Sequence, residues 1–143
     1  MGDPVHQYPE SLSAELTMKT ILSLLVLVFF LPLIASEKYL ESVSVSDFQK
    51  AINEEEGTLL DVRSPKEHKA AAIANSSLLN YFEEGFWDKI AELPKEKTYF
   101  VYCASGGRSG KTLNRMKELG FLRVFELSGG MRAWQAAGLP VVK

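Results

Sequence analysis

The single cysteine of the chain, Cys103, opens a run of small residues: Cys103-Ala104-Ser105-Gly106-Gly107-Arg108-Ser109. A thiolate is the nucleophilic form of cysteine, and it forms near neutral pH only where the local potential is positive. Gly106 and Gly107 let the backbone curl so that successive N–H groups point inward as an anion-binding nest. Arg108 adds a charge, and Ser109 is placed to N-cap a helix whose free N–H groups and dipole favour an anion. These residues predict nucleophilic attack by sulfur with a covalent intermediate. The competing reading is a buried, inert cysteine at the end of a strand. One cysteine excludes an internal disulfide and a cysteine-rich zinc site, and His6 and His68 make no recognisable metal pair.

The surrounding pattern must place this loop. Residues 98–102 (TYFVY) read as the clearest strand, so Cys103 falls between a strand and a helix. Residues 109–119 read as that helix, with Leu113 and Met116 inward and Gly120 as its stop. Upstream, 42–45 reads as a short strand, and Ser46 as the N-cap of a helix with Phe48, Ala51 and Ile52 on one face; residues 53–57 close that helix. Residues 58–62 (TLLDV) read as a buried strand, and Ser64-Pro65 as a helix start. Residues 77–81 read as a third strand. Phe82, Phe86, Ile90 and Leu93 share a helical face that Pro94 ends. A strand at 123–127 and a Ser128-Gly129-Gly130 turn lead into a last short helix with Met131 and Trp134 inward. Alternating strands and helices predict an α/β fold, a mostly parallel central sheet with helices on both faces. Such sheets bind ligands at the carboxyl ends of their strands, where Cys103 lies.

The chain has 143 residues, 46% hydrophobic and 24% charged, with net charge −2, which fits one globular domain and gives no basic face for nucleic acid. Its ends differ in character. Residues 21–35 (ILSLLVLVFFLPLIA) carry no charge, are short for a membrane span, and fit the apolar region of a secretory signal peptide. Lys19 flanks the run, and Ala35 and Ser36 mark a cleavage point. Residues 1–17 carry Asp3, Glu10 and Glu15 and no Lys or Arg, so Met18 is the better start. The expected organisation is therefore an extension plus signal peptide over 1–36 and one domain over 37–143, exported to the periplasm or secreted. An uncleaved membrane anchor is the alternative. Without 1–36, acidic and basic residues balance.

Three blocks carry a resemblance to a known family. They are Leu59-Leu60-Asp61-Val62-Arg63-Ser64-Pro65-Lys66-Glu67, then Val101-Tyr102-Cys103-Ala104-Ser105-Gly106-Gly107-Arg108-Ser109, then Ser128-Gly129-Gly130-Met131-Arg132-Ala133-Trp134 followed by Gly138-Leu139-Pro140-Val141. In this order they resemble a single-domain rhodanese, a sulfurtransferase homology domain, from about residue 43 to residue 142. The resemblance implies that Cys103 takes the outer, sulfane sulfur of a donor (thiosulfate, polysulfide or a thiol persulfide) as a persulfide. A thiol or cyanide then removes it. A protein is a further candidate donor or acceptor, and no cofactor or metal is implied. The loop from Ala104 to Ser109 would hold the persulfide. Arg108 would hold an anionic donor, shape the loop or form a structural salt bridge. Asp61 would support the loop and Arg63 would pair locally, with Glu67 as candidate partner; structural roles are favoured for both. His68 reads as an ordinary helix residue, and Met131 and Trp134 as core.

Two departures stand out. The family's Gly-His-Ile…Gly-Ala turn is replaced by Ala71-Ala72-Ile73-Ala74-Asn75-Ser76, which predicts local structural variation. Residue 104, often basic in thiosulfate users, is Ala104, which argues for another donor. Two rival functions remain. Cysteine phosphatases and arsenate reductases of related fold use Cys-x5-Arg, whereas Cys103 and Arg108 enclose only four residues. Rhodanese-like domains without the cysteine act as binding modules. A redox or sulfur relay through mixed disulfides with a partner is compatible with sulfur transfer.

Overall fold

The computed structural model describes residue 2 and residues 37–143. The expected extension, signal peptide and Met18 start lie outside the described residues. Along the chain run β1 (Tyr39–Val43), α1 (Val45–Glu54), β2 (Thr58–Asp61), α2 (Pro65–Ala70), β3 (Ser77–Leu78), α3 (Phe86–Glu92), β4 (Thr98–Tyr102), α4 (Gly107–Glu118), β5 (Arg123–Leu127) and α5 (Gly130–Ala136). The five strands form one parallel sheet in the order β1-β5-β4-β2-β3. Among the described residues no helix is long and apolar enough to cross a membrane.

Alternation along the strands builds two cores. Leu60, Val62, Tyr99, Val101, Cys103 and Val124 face Phe86 and Ile90 of α3 and Leu113 and Met116 of α4. Leu59, Phe100, Tyr102, Phe125 and Leu127 face Phe48 and Ala51 of α1 and Met131 and Trp134 of α5. β4 is central, paired on both sides and covered on both faces, so its sequence is apolar throughout. Cys103 continues its alternation into the α3/α4 core.

Local signals explain where elements begin, including four places where the structure departs from the expectation. β1 starts at Tyr39 rather than residue 42, because it pairs with β5 from Tyr39↔Arg123 onward. With β1 ending at Val43, the cap of α1 falls on Ser44, whose hydroxyl accepts the Asp47 N–H at 3.2 Å; Ser46 is already inside the helix. The third strand is only Ser77–Leu78, because the chain turns at Asn80, whose carbonyl and side chain take the N–H groups of Glu83 and Phe82. Phe82 falls in that turn, 71% exposed, and not on the α3 face. Gly85, at φ 77°, redirects the chain so that α3 starts at Phe86. The Ser64-Pro65 start of α2 forms as expected, with Ser64 and Glu67 in a reciprocal capping box.

Candidate active site

Cys103 leaves the carboxyl end of β4, and α4 begins four residues later. Gly106, at φ 93°, turns the chain into α4, so that Ser109 lies in the first turn of the helix and does not cap it as expected. The Ser109 side chain is instead fully buried and donates its hydroxyl to Cys103 Sγ at 3.2 Å. The Gly106 N–H donates to the same sulfur at 3.1 Å. Burial pushes the Cys103 thiol up. The Ser109 hydroxyl and the backbone N–H groups of Ser109, Ser105 and Gly106 pull it down by more, and its pKa ends below the ordinary value. Cys103 is 1% exposed, beneath a loop whose Ser105 and Gly107 face solvent. The burial of an inert thiol is present, but the groups around the sulfur are those that hold an anion.

The start of α5 fixes this loop from below. Met131 N–H donates to the Cys103 carbonyl at 2.8 Å, and Arg132 N–H donates to the Ala104 carbonyl at 3.1 Å. Gly130, at φ 59°, packs so tightly that a Cβ there would meet the Ser105 nitrogen at 2.7 Å. Gly129-Gly130 thus permits a close backbone approach that any side chain would block. Met131 and Trp134 are buried in the core, and Trp134 Nε1 donates to the Pro140 carbonyl at 3.0 Å.

The charged candidates sort differently from the expected pairing. Arg108 reaches Glu67 with both terminal nitrogens, at 3.0 and 2.7 Å. That contact, against a smaller effect of burial and with help from Ser64, holds the Glu67 carboxyl down at about 2. The guanidinium also lies over the exposed Phe82 ring, 5.4 Å from its centroid. Arg63 therefore does not pair with Glu67. It returns to Asp61, donating from Nε at 2.9 Å and from Nη2 at 2.6 Å, and its Nη2 also donates to the Ala71 carbonyl. The His68 ring Nδ1 lies 2.9 Å from Asp61, so His68 joins this cluster. Burial pushes Asp61 up, but the Arg63 and His68 hydrogen bonds hold it below the usual carboxylate range. Asp61 and Arg63 spend these bonds on one another, His68 and Ala71, and none goes to the loop from Cys103 to Ser109.

Glu126 was not singled out in the sequence. It is 2% exposed on β5, beside β4, and accepts hydrogen bonds from Ser109 Oγ and from Ser42 Oγ of β1. An acidic residue inside the apolar strand Arg-Val-Phe-Glu-Leu, alternating with the buried Phe125 and Leu127, was the available signal. Among the described residues no three His, Cys, Asp or Glu side chains gather as metal ligands would.

The rhodanese-like domain model matches residues 44–137. The chain belongs to the rhodanese-like family. Its relatives include a sulfurtransferase of Allochromatium vinosum, 32% identical over 103 residues that cover 72% of this chain and 92% of that protein. The thiosulfate sulfurtransferase GlpE of Actinobacillus pleuropneumoniae is 29% identical over 106 residues, covering 74% of this chain and 95% of that one. A rhodanese-related protein from Thermoplasma volcanium has a crystal structure that matches with a TM-score of 0.62 at 33% identity, covering 71% of this chain and 97% of its own. The rhodanese-like domain thus belongs to a sulfurtransferase family, and its parallel sheet with helices on both faces is the family's fold.

Proposed function

We propose that this chain moves a sulfane sulfur from a donor to a thiophilic acceptor through a persulfide on Cys103. The observation that carries the reading is the pair of donors, Gly106 N–H and Ser109 O–H, aimed at the sulfur at the head of α4. The Cys103 thiolate attacks the outer sulfur of the donor. A new S–S bond forms, the donor's own bond to that sulfur breaks, and sulfite or a thiolate leaves with the electron pair. Cyanide or a thiolate then attacks the outer sulfur, and Cys103 leaves as thiolate. Two displacements of this kind give ping-pong kinetics, and preorganised N–H groups stabilise the anionic persulfide.

The charge at the site favours polysulfide or a thiol persulfide over thiosulfate as donor. Residue 104 is Ala104, and both terminal nitrogens of Arg108 are held by Glu67. The sulfonate oxygens of thiosulfate, which polysulfide and a thiol persulfide lack, find little free positive charge there. The same engagement of Arg108 argues against a phosphatase or arsenate reductase, which needs an arginine free to cradle an oxyanion.

The test is the intact mass of residues 37–143 after incubation with polysulfide and, separately, thiosulfate. One sulfur adds about 32 Da, and its capture by cysteine is the covalent step. The expected result is a gain that is larger with polysulfide, removed by cyanide and absent from Cys103→Ser. No gain with either donor overturns the reading and favours a binding module. We propose in addition that the domain is exported, on the strength of the uncharged stretch 21–35. N-terminal sequencing of the native protein should then begin near Glu37, and a retained stretch 21–35 overturns export by cleavage.

A further inference from the structure

Ser109 has one hydroxyl hydrogen and two acceptors. Its oxygen lies 3.2 Å from Cys103 Sγ and 2.5 Å from Glu126 Oε1. Both acceptors are on the same face of the sheet, since β5 pairs Glu126 with Val101, two residues before Cys103. A Cβ built on Gly106 would stand 3.7 Å from Glu126 Oε1, so the carboxyl lies directly under the loop. Glu126 is 2% exposed and enters no ion pair among the described residues. Its other oxygen takes the Ser42 hydroxyl. A buried carboxyl that depends on two hydroxyls holds each of them firmly.

We propose that Glu126 is a positioning residue for Cys103 that acts through Ser109: it competes with the sulfur for the one Ser109 hydroxyl hydrogen, and so keeps the unloaded cysteine a weaker nucleophile than its loop alone would make it. The backbone N–H groups still favour the thiolate, and Glu126 limits how far. Resting on the persulfide reading, the same geometry favours the loaded state. Once Sγ is bonded to a second sulfur, the negative charge sits on the outer atom, and Sγ no longer competes with Glu126 for the Ser109 hydrogen.

The charged groups facing the site are few. α4 brings Arg108, whose charge is met by Glu67 of α2. β1 brings the neutral Ser42. The first turn of α5, whose N–H groups hold the loop, brings the exposed Arg132.

The test is the rate of Cys103 alkylation by iodoacetamide as a function of pH, a reading that needs no turnover. Glu126→Gln should move the midpoint down by about one pH unit, which is about tenfold faster alkylation below the midpoint. The limiting rate at alkaline pH should stay unchanged, whereas an unfolded variant would raise it. A midpoint that stays put or moves up overturns the inference. A second measurement uses the unsubstituted chain with carboxyl-labelled glutamate: the Glu126 carbon signal should show an inflection at the Cys103 midpoint, and its absence overturns the inference as well. If the midpoint shifts as expected but no sulfur is ever loaded, the persulfide reading fails and the coupling stands.

Discussion

Met131 donates its backbone N–H to the carbonyl of Cys103 at 2.8 Å, so the turn before α5 and the loop after β4 are held as one piece. Gly130 makes the approach feasible. Gly130→Ala should lower stability by about 1–3 kcal/mol, because a non-glycine residue at φ 59° is strained and its Cβ strikes the loop backbone. It should also suppress sulfur loading of Cys103 by more than the lost stability explains, since the N–H groups around the sulfur shift with the loop. Denaturant unfolding alongside intact mass separates the two effects.

Glu67 links pH to the site. Its carboxyl sits at about 2 when folded against 4.5 for the free group, so its contribution to stability is complete above about pH 4.5 and is lost as pH falls toward 2. The contribution is on the order of 1 kcal/mol, because the pair is partly solvated and screened. Glu67→Gln can retain the capping box with Ser64 while removing the charge from Arg108. The expected outcome is a lower KM for thiosulfate, with little change for polysulfide, and a flatter acid limb in thermal melts from about pH 4.5 down to about 2.

Asp61 and Arg63 are a buried ion pair, 0% and 4% exposed. Removing one charge strands the other. Asp61→Asn should therefore cost about 3–5 kcal/mol in urea unfolding. In whatever fraction remains folded, the alkylation profile of Cys103 should be unchanged, because neither residue bonds to the loop. An altered profile would assign Asp61 to the active loop after all.

Much of the fold is legible in short segments. The alternation in Thr98–Tyr102, the Ser64-Pro65 cap with Glu67 three residues on, and the glycines at 106, 120 and 129 each act within a few residues. A reader of the chain recovers them because the forces are local: side-chain alternation, capping and tolerance of positive φ. The misplaced boundaries also have local competitors. Ser44 and Ser46 both qualify as caps, and the pairing of β1 with β5, whose partners stand 84 residues apart, decides between them.

The site divides along the same line. The cysteine proposed as nucleophile, the glycine-rich loop and the family to which they point are readable along the chain, since Cys103 to Ser109 are contiguous. The partners of these residues come from distant parts of the chain. Glu67 stands 41 residues before Arg108, Glu126 stands 17 after Ser109, and Ser42 stands 84 before Glu126. Charge alone makes Arg63, Arg108, Asp61 and Glu67 interchangeable, and the place of Glu126 in an apolar strand marks it as unusual without naming the hydroxyls it meets. The register of a parallel sheet, set by the burial of both its faces, chooses among them.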